Sequence, residues 1–178
     1  QFLYPGVGYG GSCFPKDVKA LQHTATEHGR PLQILGAVEA ANEAQKLRLV
    51  EKIVARLGAD LAGRRFALWG LAFKPRTDDI REAASLTLID GLLAEGAKVS
   101  AHDPEARQIA RQRFGDTINI VDQQYDALQD ADALVLVTEW REYQNPDFER
   151  IKQMMRSPFL LDGRNIWSKY GLRKQGLV

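Results

Sequence analysis

The sequence predicts an α/β fold in which a long central helix is followed by a doubly wound parallel sheet. The first observation behind this prediction is a helical period of apolar residues that extends from Pro31 to Leu57. The second is the alternation, after Gly63, of short β-rich apolar segments such as RFALWGL and ALVLVT with amphipathic helical segments. Strands that alternate with helices in this way form parallel βαβ units.

Composition restricts the class of protein. The chain has 178 residues, of which 44% are hydrophobic and 26% charged, so it can bury the core of one domain with an accessory element. Its 24 Lys and Arg balance 23 Asp and Glu to a net charge of +1, which argues against a nucleic acid or an anionic membrane as partner. No apolar segment reaches the ~20 residues that cross a bilayer, and no signal peptide is recognisable.

Cysteine content and the start of the chain add two expectations. Cys13 is the single cysteine, so no disulfide can form within the chain. An unpaired thiol is typical of a reducing compartment, and we expect a cytoplasmic protein. The sequence begins at Gln1 and continues directly into glycine- and proline-rich residues, so we expect a piece of a longer protein.

Residues 1–60 are predicted to combine a glycine-rich loop with two helices. Four glycines fall within residues 1–14, which indicates a loop whose backbone closely approaches another group. Pro15 suits a first helical turn and Gly29 a stop, so the first helix is predicted at residues 15–28.

The second helix is predicted from Pro31 to Leu57, with Gly58 as its stop. At 1.5 Å per residue it would be about 40 Å long, which suggests a spine between domains or an oligomer contact. Asn42 lies inside this helix, and it either makes a buried contact or faces solvent.

Residues 61–178 are predicted to form the doubly wound domain. Its expected elements are a strand at 65–71, a helix at 85–95, a strand at 98–101, a helix at 105–114, a strand at 117–121, a brief helix at 125–130, a strand at 133–138, a helix at 147–155 and a strand at 159–161. Right-handed crossovers between parallel strands favour the strand order 3-2-1-4-5.

Cys13 lies where the glycine-rich loop meets the start of the first predicted helix. The partial positive charge of a helix N-terminus and the nearby Lys16 favour the thiolate, which is a nucleophile, and free N–H groups there suit an anion. Asp17, one turn further on, could accept a hydrogen bond or transfer a proton. The alternative is a small buried cysteine near a capping carboxylate, but the surrounding glycines, Pro15 and Asp17 favour a functional role.

The predicted first strand of the sheet is followed by GLAFKP and then by TDDIRE. Gly70 is the only glycine there, so the G-x-G-x-x-G spacing of a dinucleotide site is absent. Lys74 offers a positive charge at the carboxyl end of the sheet, suited to a phosphate or a sugar hydroxyl. Asp103 follows the second strand, where a ribose-binding acid would stand, although the accompanying glycine pattern is missing. Asp78 and Asp79 are interpreted as helix-capping residues.

The segment DGRN follows the last predicted strand. Arg164 within it could bind a phosphate or a pair of hydroxyls, or it could form a surface ion pair, and the sequence leaves both open. The three histidines lack metal-ligand spacing, so no metal is predicted. Trp69, Trp140 and Trp167 are interpreted as packing residues of the core or of a cleft.

Three segments together resemble one known family. The run GVGYGGSCFPKD at residues 6–17 closely resembles the nucleophile segment of the UDP-glucose/GDP-mannose dehydrogenase family. GLAFKP with TDDIRE resembles the family's C-terminal signature, and DGRN resembles its closing motif. The three motifs follow the family's order over essentially the whole chain. CFPKD and FKPxTDD are most similar to the members that oxidise UDP-glucose.

The resemblance implies a Rossmann-like C-terminal domain that binds a UDP-sugar. It also implies an NAD-dependent, four-electron oxidation of UDP-glucose to UDP-glucuronate. Cys13 would form a thiohemiacetal and then a thioester, and Asp17 would assist the oxyanion or the hydrolytic water. Lys16 and Arg81 would contact NAD, and the long helix would form the core of a homodimer. The UDP-sugar contacts implied by motif position are Tyr4, Gly6, Gly8, Tyr9, Gly10, Lys74 and Arg164.

The family's N-terminal NAD-binding domain, with its catalytic Glu, Lys and Asn, is absent from these residues. This chain alone is therefore expected to be inactive, and that domain of the same protein is an expected partner. Alternatives are a GDP-mannose or other nucleotide-sugar 6-dehydrogenase and a non-catalytic nucleotide-sugar binding module. A cysteine hydrolase or redox protein is a third alternative, but no histidine or second cysteine lies near Cys13 in the sequence.

Overall fold

The structure is a computed structural model, and it describes residues 5–177. Tyr4, which the resemblance places among the UDP-sugar contacts, lies outside the described residues. The helices are α1 (Phe14–Glu27), α2 (Gln33–Leu57), α3 (Ala84–Ala94), α4 (Arg107–Phe114) and α5 (Phe148–Met154). The strands are β1 (Arg65–Trp69), β2 (Lys98–His102), β3 (Asn119–Ile120), β4 (Ala133–Leu136) and β5 (Phe159–Asp162).

The five described strands form one parallel sheet in the order β3-β2-β1-β4-β5. This confirms the predicted α/β class and strand order, which follow from right-handed crossovers on both sides of β1. Trp69 at the end of β1 lies beside His102 of β2 and Leu136 of β4, so three strands end at one edge. The brief helix predicted at 125–130 is a 3₁₀ helix at Gln124–Leu128.

The core lies on both faces of this sheet. Every residue of β4 is buried, and so is every residue of β1 after Arg65, as their continuous apolar runs predict for central parallel strands. Trp69 stacks on Tyr143 with 5.0 Å between ring centroids and contacts Trp167 edge to face. All three tryptophans are buried, which confirms their interpretation as packing residues.

Helix α2 contributes to this core with its C-terminal half. Leu49 and Ile53 are buried in the same hydrophobic cluster as the sheet, and Gly91 of α3 lets Val50 approach closely. In the N-terminal half Ile34 is 79% exposed, so its side chain lacks an apolar neighbour within the described chain. The predicted domain boundary falls in the connection between α2 and β1 and stays a prediction.

No helix within residues 5–177 is long and apolar enough to cross a membrane.

Candidate functional site

The glycine-rich loop, residues 5–12, lies between α2 and two loops of the sheet domain. Gly11 N–H donates to the carbonyl of Arg81 at 2.7 Å, and Gln45 of α2 donates to the carbonyl of Gly6 at 2.6 Å. The structure thus brings the loop against the TDDIRE segment, which the sequence placed more than 60 residues away.

Two glycines of this loop closely approach protein groups from other segments. A Cβ on Gly10 would overlap with the backbone of Glu82, and a Cβ on Gly6 would lie 2.5 Å from Nη1 of Arg164. The predicted close approach of the loop backbone therefore occurs, and its neighbours are the TDDIRE and DGRN segments. All three motifs that carry the family resemblance meet at this loop.

Cys13 occupies the N-cap position of α1 and is exposed. The alternative of a small buried cysteine is therefore wrong. Its Sγ lies 3.7 Å from Oγ of Ser12 and makes no capping hydrogen bond. The backbone N–H of Asp17 donates to the carbonyl of Cys13 at 2.9 Å, while the Asp17 carboxylate is exposed and paired with Lys16 at 3.3 Å.

A broad open cavity of about 870 Å³ lies beside Cys13, between α1 and α4. Four basic side chains line it, with Glu82 as the one acidic residue. These basic residues are Lys16, Lys19, Arg81 and Arg113. A cavity with this charge suits an anionic ligand such as a dinucleotide, so the residues present fit the cofactor that the resemblance implies.

Arg81 is held at the mouth of this cavity by Asp79. Its Nε and Nη2 donate to the two carboxylate oxygens at 2.9 Å each, and this pairing lowers the pKa of Asp79. Helix α3 begins at Ala84 with no side-chain cap, so the interpretation of Asp78 and Asp79 as capping residues is wrong. Asp79 instead orients a guanidinium group.

Lys74 lies in the loop that follows β1, as predicted. It is exposed, and its ammonium group lies 5.2 Å from the ring centroid of Phe73. The Phe73 ring in turn packs against Gly11, where a Cβ would come within 2.8 Å of it. Lys74 is therefore on the same side of the molecule as the glycine-rich loop.

Arg164 forms an ion pair, but in a half-buried position rather than on the surface. Its Nε lies 2.7 Å from one oxygen of Glu139 and its Nη2 lies 2.8 Å from the other. The guanidinium side chain is 18% exposed and its Nη1 faces Gly6. The ion pair with Glu139 thus holds the guanidinium group against the glycine-rich loop.

Asp103 is a structural residue and not a ribose ligand. It is fully buried, and its carboxylate accepts five N–H donors. These donors are the backbone groups of Leu71, Ala72, Glu105 and Ala106 and the indole of Trp140. With both oxygens saturated, it fixes the turn after β1 relative to the turn after β2.

Several site residues escaped the sequence analysis. Glu139 and Lys19 gave no local signal, because their partners Arg164 and Glu82 are far away in the chain. Lys46 pairs with the nearby Glu43, but its contact with Glu82 is also distant in sequence. Asn42 was noticed, and of its two interpretations the buried contact is the one that the structure realises. Within residues 5–177, no group of three or more His, Cys, Asp or Glu side chains could hold a metal ion.

A doubly wound parallel sheet with basic side chains and an exposed cysteine in the loops at its carboxyl edge places the chain among nucleotide-binding α/β proteins. Residues 67–169 match the UDP-binding domain of the UDP-glucose/GDP-mannose dehydrogenase family, and residues 1–44 match its central domain. The chain belongs to this family, which confirms the resemblance of its three motifs.

Curated relatives agree with this assignment. The whole chain is 47% identical to a UDP-glucose 6-dehydrogenase of Pseudomonas aeruginosa. A UDP-glucose 6-dehydrogenase of Rhizobium meliloti is 40% identical over 99% of the chain. The chain spans 40% of the length of each of these two relatives.

Solved structures share the fold. The structure of a UDP-glucose dehydrogenase from Pyrobaculum islandicum is similar to this chain, with a TM-score of 0.81 and 36% sequence identity. The similarity covers 90% of this chain and 35% of the Pyrobaculum chain. A GDP-mannose dehydrogenase from Pseudomonas aeruginosa matches 93% of this chain, with 38% of its own length, at 23% identity and a TM-score of 0.76, which shows the fold alone.

Proposed function

We propose that this chain is the central and C-terminal part of an NAD-dependent UDP-glucose 6-dehydrogenase that oxidises UDP-glucose to UDP-glucuronate. The observation that carries the proposal is the exposed Cys13 between a glycine-rich loop and a helix N-terminus, beside a basic cavity. The 47% identity to a UDP-glucose 6-dehydrogenase favours this sugar over GDP-mannose.

Cys13 is the nucleophile in this proposal. Its thiolate adds to the C6 carbonyl carbon of the intermediate aldehyde, and the new oxyanion takes up a proton to give a thiohemiacetal. Loss of the second hydride from C6, together with the proton of the thiohemiacetal hydroxyl, leaves a thioester on Sγ. Water then attacks the thioester carbon, the C–S bond breaks, and the carboxylate and the free thiol are released.

Asp17 assists the last of these steps. It lies one helical turn after Cys13, and its exposed carboxylate is free to accept a proton from the attacking water while Lys16 holds it by an ion pair.

The UDP-sugar lies along the glycine-rich loop in this proposal. Lys74 and Arg164 supply positive charge for its phosphates or ribose. Gly6, Gly8 and Gly10 contribute through the backbone of the loop, since the space beside their α-carbons is occupied by Arg164, Asn42 and Glu82. Tyr9 contributes through the shape of the loop, because its hydroxyl and both of its backbone polar groups already have partners on α2.

Lys16 and Arg81 hold the cofactor's phosphates at the basic cavity. Bound NAD would supply the hydride acceptor, one NAD molecule for each of the two hydrides that leave C6. Because the chain spans about 40% of its relatives, the proposal places the NAD-binding domain and the general base in the remainder of a longer protein.

The homodimer and the compartment are parts of the same proposal. Helix α2 and the neighbouring α1 present apolar side chains that the described chain leaves open, which suits contact with a second copy. The exposed apolar residues are Phe14, Leu21, Leu32, Ile34, Val38 and Leu47. A cytoplasmic location is expected from the single free thiol.

The test follows NADH release by the full-length protein with UDP-glucose and with GDP-mannose. The proposal predicts about two NADH per UDP-glucose and loss of product, with retained sugar affinity, in the Cys13→Ala variant. Thr117→Ala, an exposed substitution far from the loop, serves as the control. Sugar binding without NADH release would indicate the binding module, and turnover of GDP-mannose alone would indicate the other branch of the family.

A further inference from the structure

Asn42 pairs with both backbone polar groups of Tyr9. Its Oδ1 accepts the N–H of Tyr9 at 2.7 Å, and its Nδ2 donates to the carbonyl of Tyr9 at 3.2 Å. The side chain is 6% exposed, although it lies in the middle of a 25-residue helix. Asparagine is a poor helix former and its amide is costly to bury, so this position has a specific use for a group that both donates and accepts.

Glu39 and Lys46 lie on the same face of α2, three residues before and four residues after Asn42. Glu39 accepts the hydroxyl of Tyr9, and the alkyl chain of Lys46 packs against Gly8, where a Cβ would lie 3.1 Å from Lys46 Cγ. We call Glu39, Asn42 and Lys46 the loop clamp.

The loop clamp is tied to the rest of the site through Glu82. Lys46 is 3% exposed and its Nζ lies 2.9 Å from Glu43 and 3.4 Å from Glu82. Glu82 also pairs at 3.0 Å with Lys19 of α1, and that hydrogen bond lowers its pKa. This network of charged groups thus joins α2 to α1 and to the segment before α3.

We propose that Asn42 is a positioning residue that holds residues 8–12 in place and thereby fixes Cys13 at the start of α1. The proposal rests on the proposed function only in treating Cys13 as the nucleophile. Gly10 packs on the backbone of Glu82 and Gly11 donates to Arg81, so these contacts and Asn42 together hold the loop that leads to Cys13.

The Asn42→Asp substitution separates the accepted hydrogen bond from the donated one. A carboxylate can still accept the Tyr9 N–H, but it cannot donate to the Tyr9 carbonyl and repels it. A protonated carboxyl both donates and accepts, as asparagine does. Burial and the facing carbonyl oxygen raise the pKa of such a carboxyl, while Lys46 opposes the rise, so acidification restores the missing donor.

The experiment measures amide hydrogen exchange by NMR on the ¹⁵N-labelled chain and on the Asn42→Asp and Asn42→Leu variants at pH 8 and pH 5. At pH 8 the Tyr9 and Gly11 amides of Asn42→Asp are expected to exchange about tenfold faster than those of the parent, as for a lost buried hydrogen bond. At pH 5 the ratio returns towards one. Asn42→Leu exchanges faster at both pH values because it cannot titrate.

Asn119→Asp is the matched control, since Asn119 is exposed on the edge strand β3 and bonds only to Ser100 among the described residues. Parent-like exchange in Asn42→Asp at pH 8 would overturn the proposal. So would equal acceleration of amides in the central strands, or an acceleration that acid does not reverse. These readouts involve no turnover, so a failed NADH assay would refute the proposed function and leave this inference standing.

Discussion

Gly10 and Glu82 lie in direct backbone contact, although 71 intervening residues separate them. A Cβ on Gly10 would overlap with the carbonyl of Glu82 and come within 3.0 Å of the backbone nitrogen of Ala83. Backbone atoms cannot rotate away as a side chain would, so the loop carrying Cys13 and the segment carrying Arg81 are docked only because residue 10 has no side chain.

Gly10→Ala is therefore expected to destabilise the protein by about 1–3 kcal/mol, the range for forced overpacking. Gly36 in α2 is the matched control, because an added Cβ there meets only the end of the Gln22 side chain at 3.1 Å. Gly36→Ala is expected to stabilise the protein by about 0.5–1 kcal/mol, since alanine is the better helix former. Urea unfolding of both variants checks the two signs, and a neutral Gly10→Ala would contradict the docking.

Asp103→Asn is expected to cost about 2–4 kcal/mol of unfolding free energy. The carboxylate accepts five N–H groups, and an amide would turn its own N–H donors towards some of them. Asp116 is exposed, and Asp116→Asn is expected to stay within about 0.5 kcal/mol of the parent. Equal unfolding free energies for the two variants would remove the structural role assigned to Asp103.

His102 predicts a pH dependence of stability. Burial lowers its pKa and nearby Arg107 adds to the effect, while Nδ1 bonds to the hydroxyl of Tyr143 at 2.7 Å. Between the unfolded pKa of about 6.5 and the lower folded value, the unfolded chain binds more protons, so stability falls as the pH falls through this window.

The measurement is the melting temperature between pH 7.5 and pH 5.5 for the parent, His102→Asn and His23→Asn. The parent and the exposed-site control His23→Asn are expected to lose more than His102→Asn. Burial raises the pKa of Glu142, so this carboxyl contributes to the pH dependence of stability with the opposite sign. Because all three proteins contain Glu142, its contribution cancels when each variant is compared with the parent. A parallel decline in all three proteins would show that His102 titrates alike in the folded and unfolded states.

Glu139→Gln is expected to weaken UDP binding about 3- to 10-fold, and Arg164→Ala about 10- to 100-fold. Glu139 orients Arg164 through two contacts, whereas removal of Arg164 deletes the charge that the proposal assigns to the nucleotide. Calorimetric titration with UDP measures both effects. Glu149→Gln removes a comparable pairing, with Lys152 on α5, and should leave the affinity unchanged. Parent-like affinity in Arg164→Ala would exclude it from the UDP-sugar site.

Much of the fold could be predicted because its signals are local. The apolar run ALVLVT predicts a buried strand, and Gly58 and Gly96 mark the ends of helices within one or two residues of their observed positions. The strand order follows from chain connectivity once the elements are known. Asp79 escaped correct interpretation, because its position before a helix is equally suited to a cap and to an ion pair with Arg81.

The α/β class, the strand order, the family and the place of Cys13 at the junction of a loop and a helix could all be predicted from local patterns of residues. Each depends on periodicity, on glycine and proline, or on contiguous motifs, all of which act over a few residues. Three contacts became visible only in the folded chain: Arg164 pairs with Glu139, Asp103 accepts five donors and Asn42 holds Tyr9. Apart from Glu105 and Ala106, which closely follow Asp103, these partners lie 25 or more residues apart in the sequence. Only folding brings such distant residues within hydrogen-bonding distance.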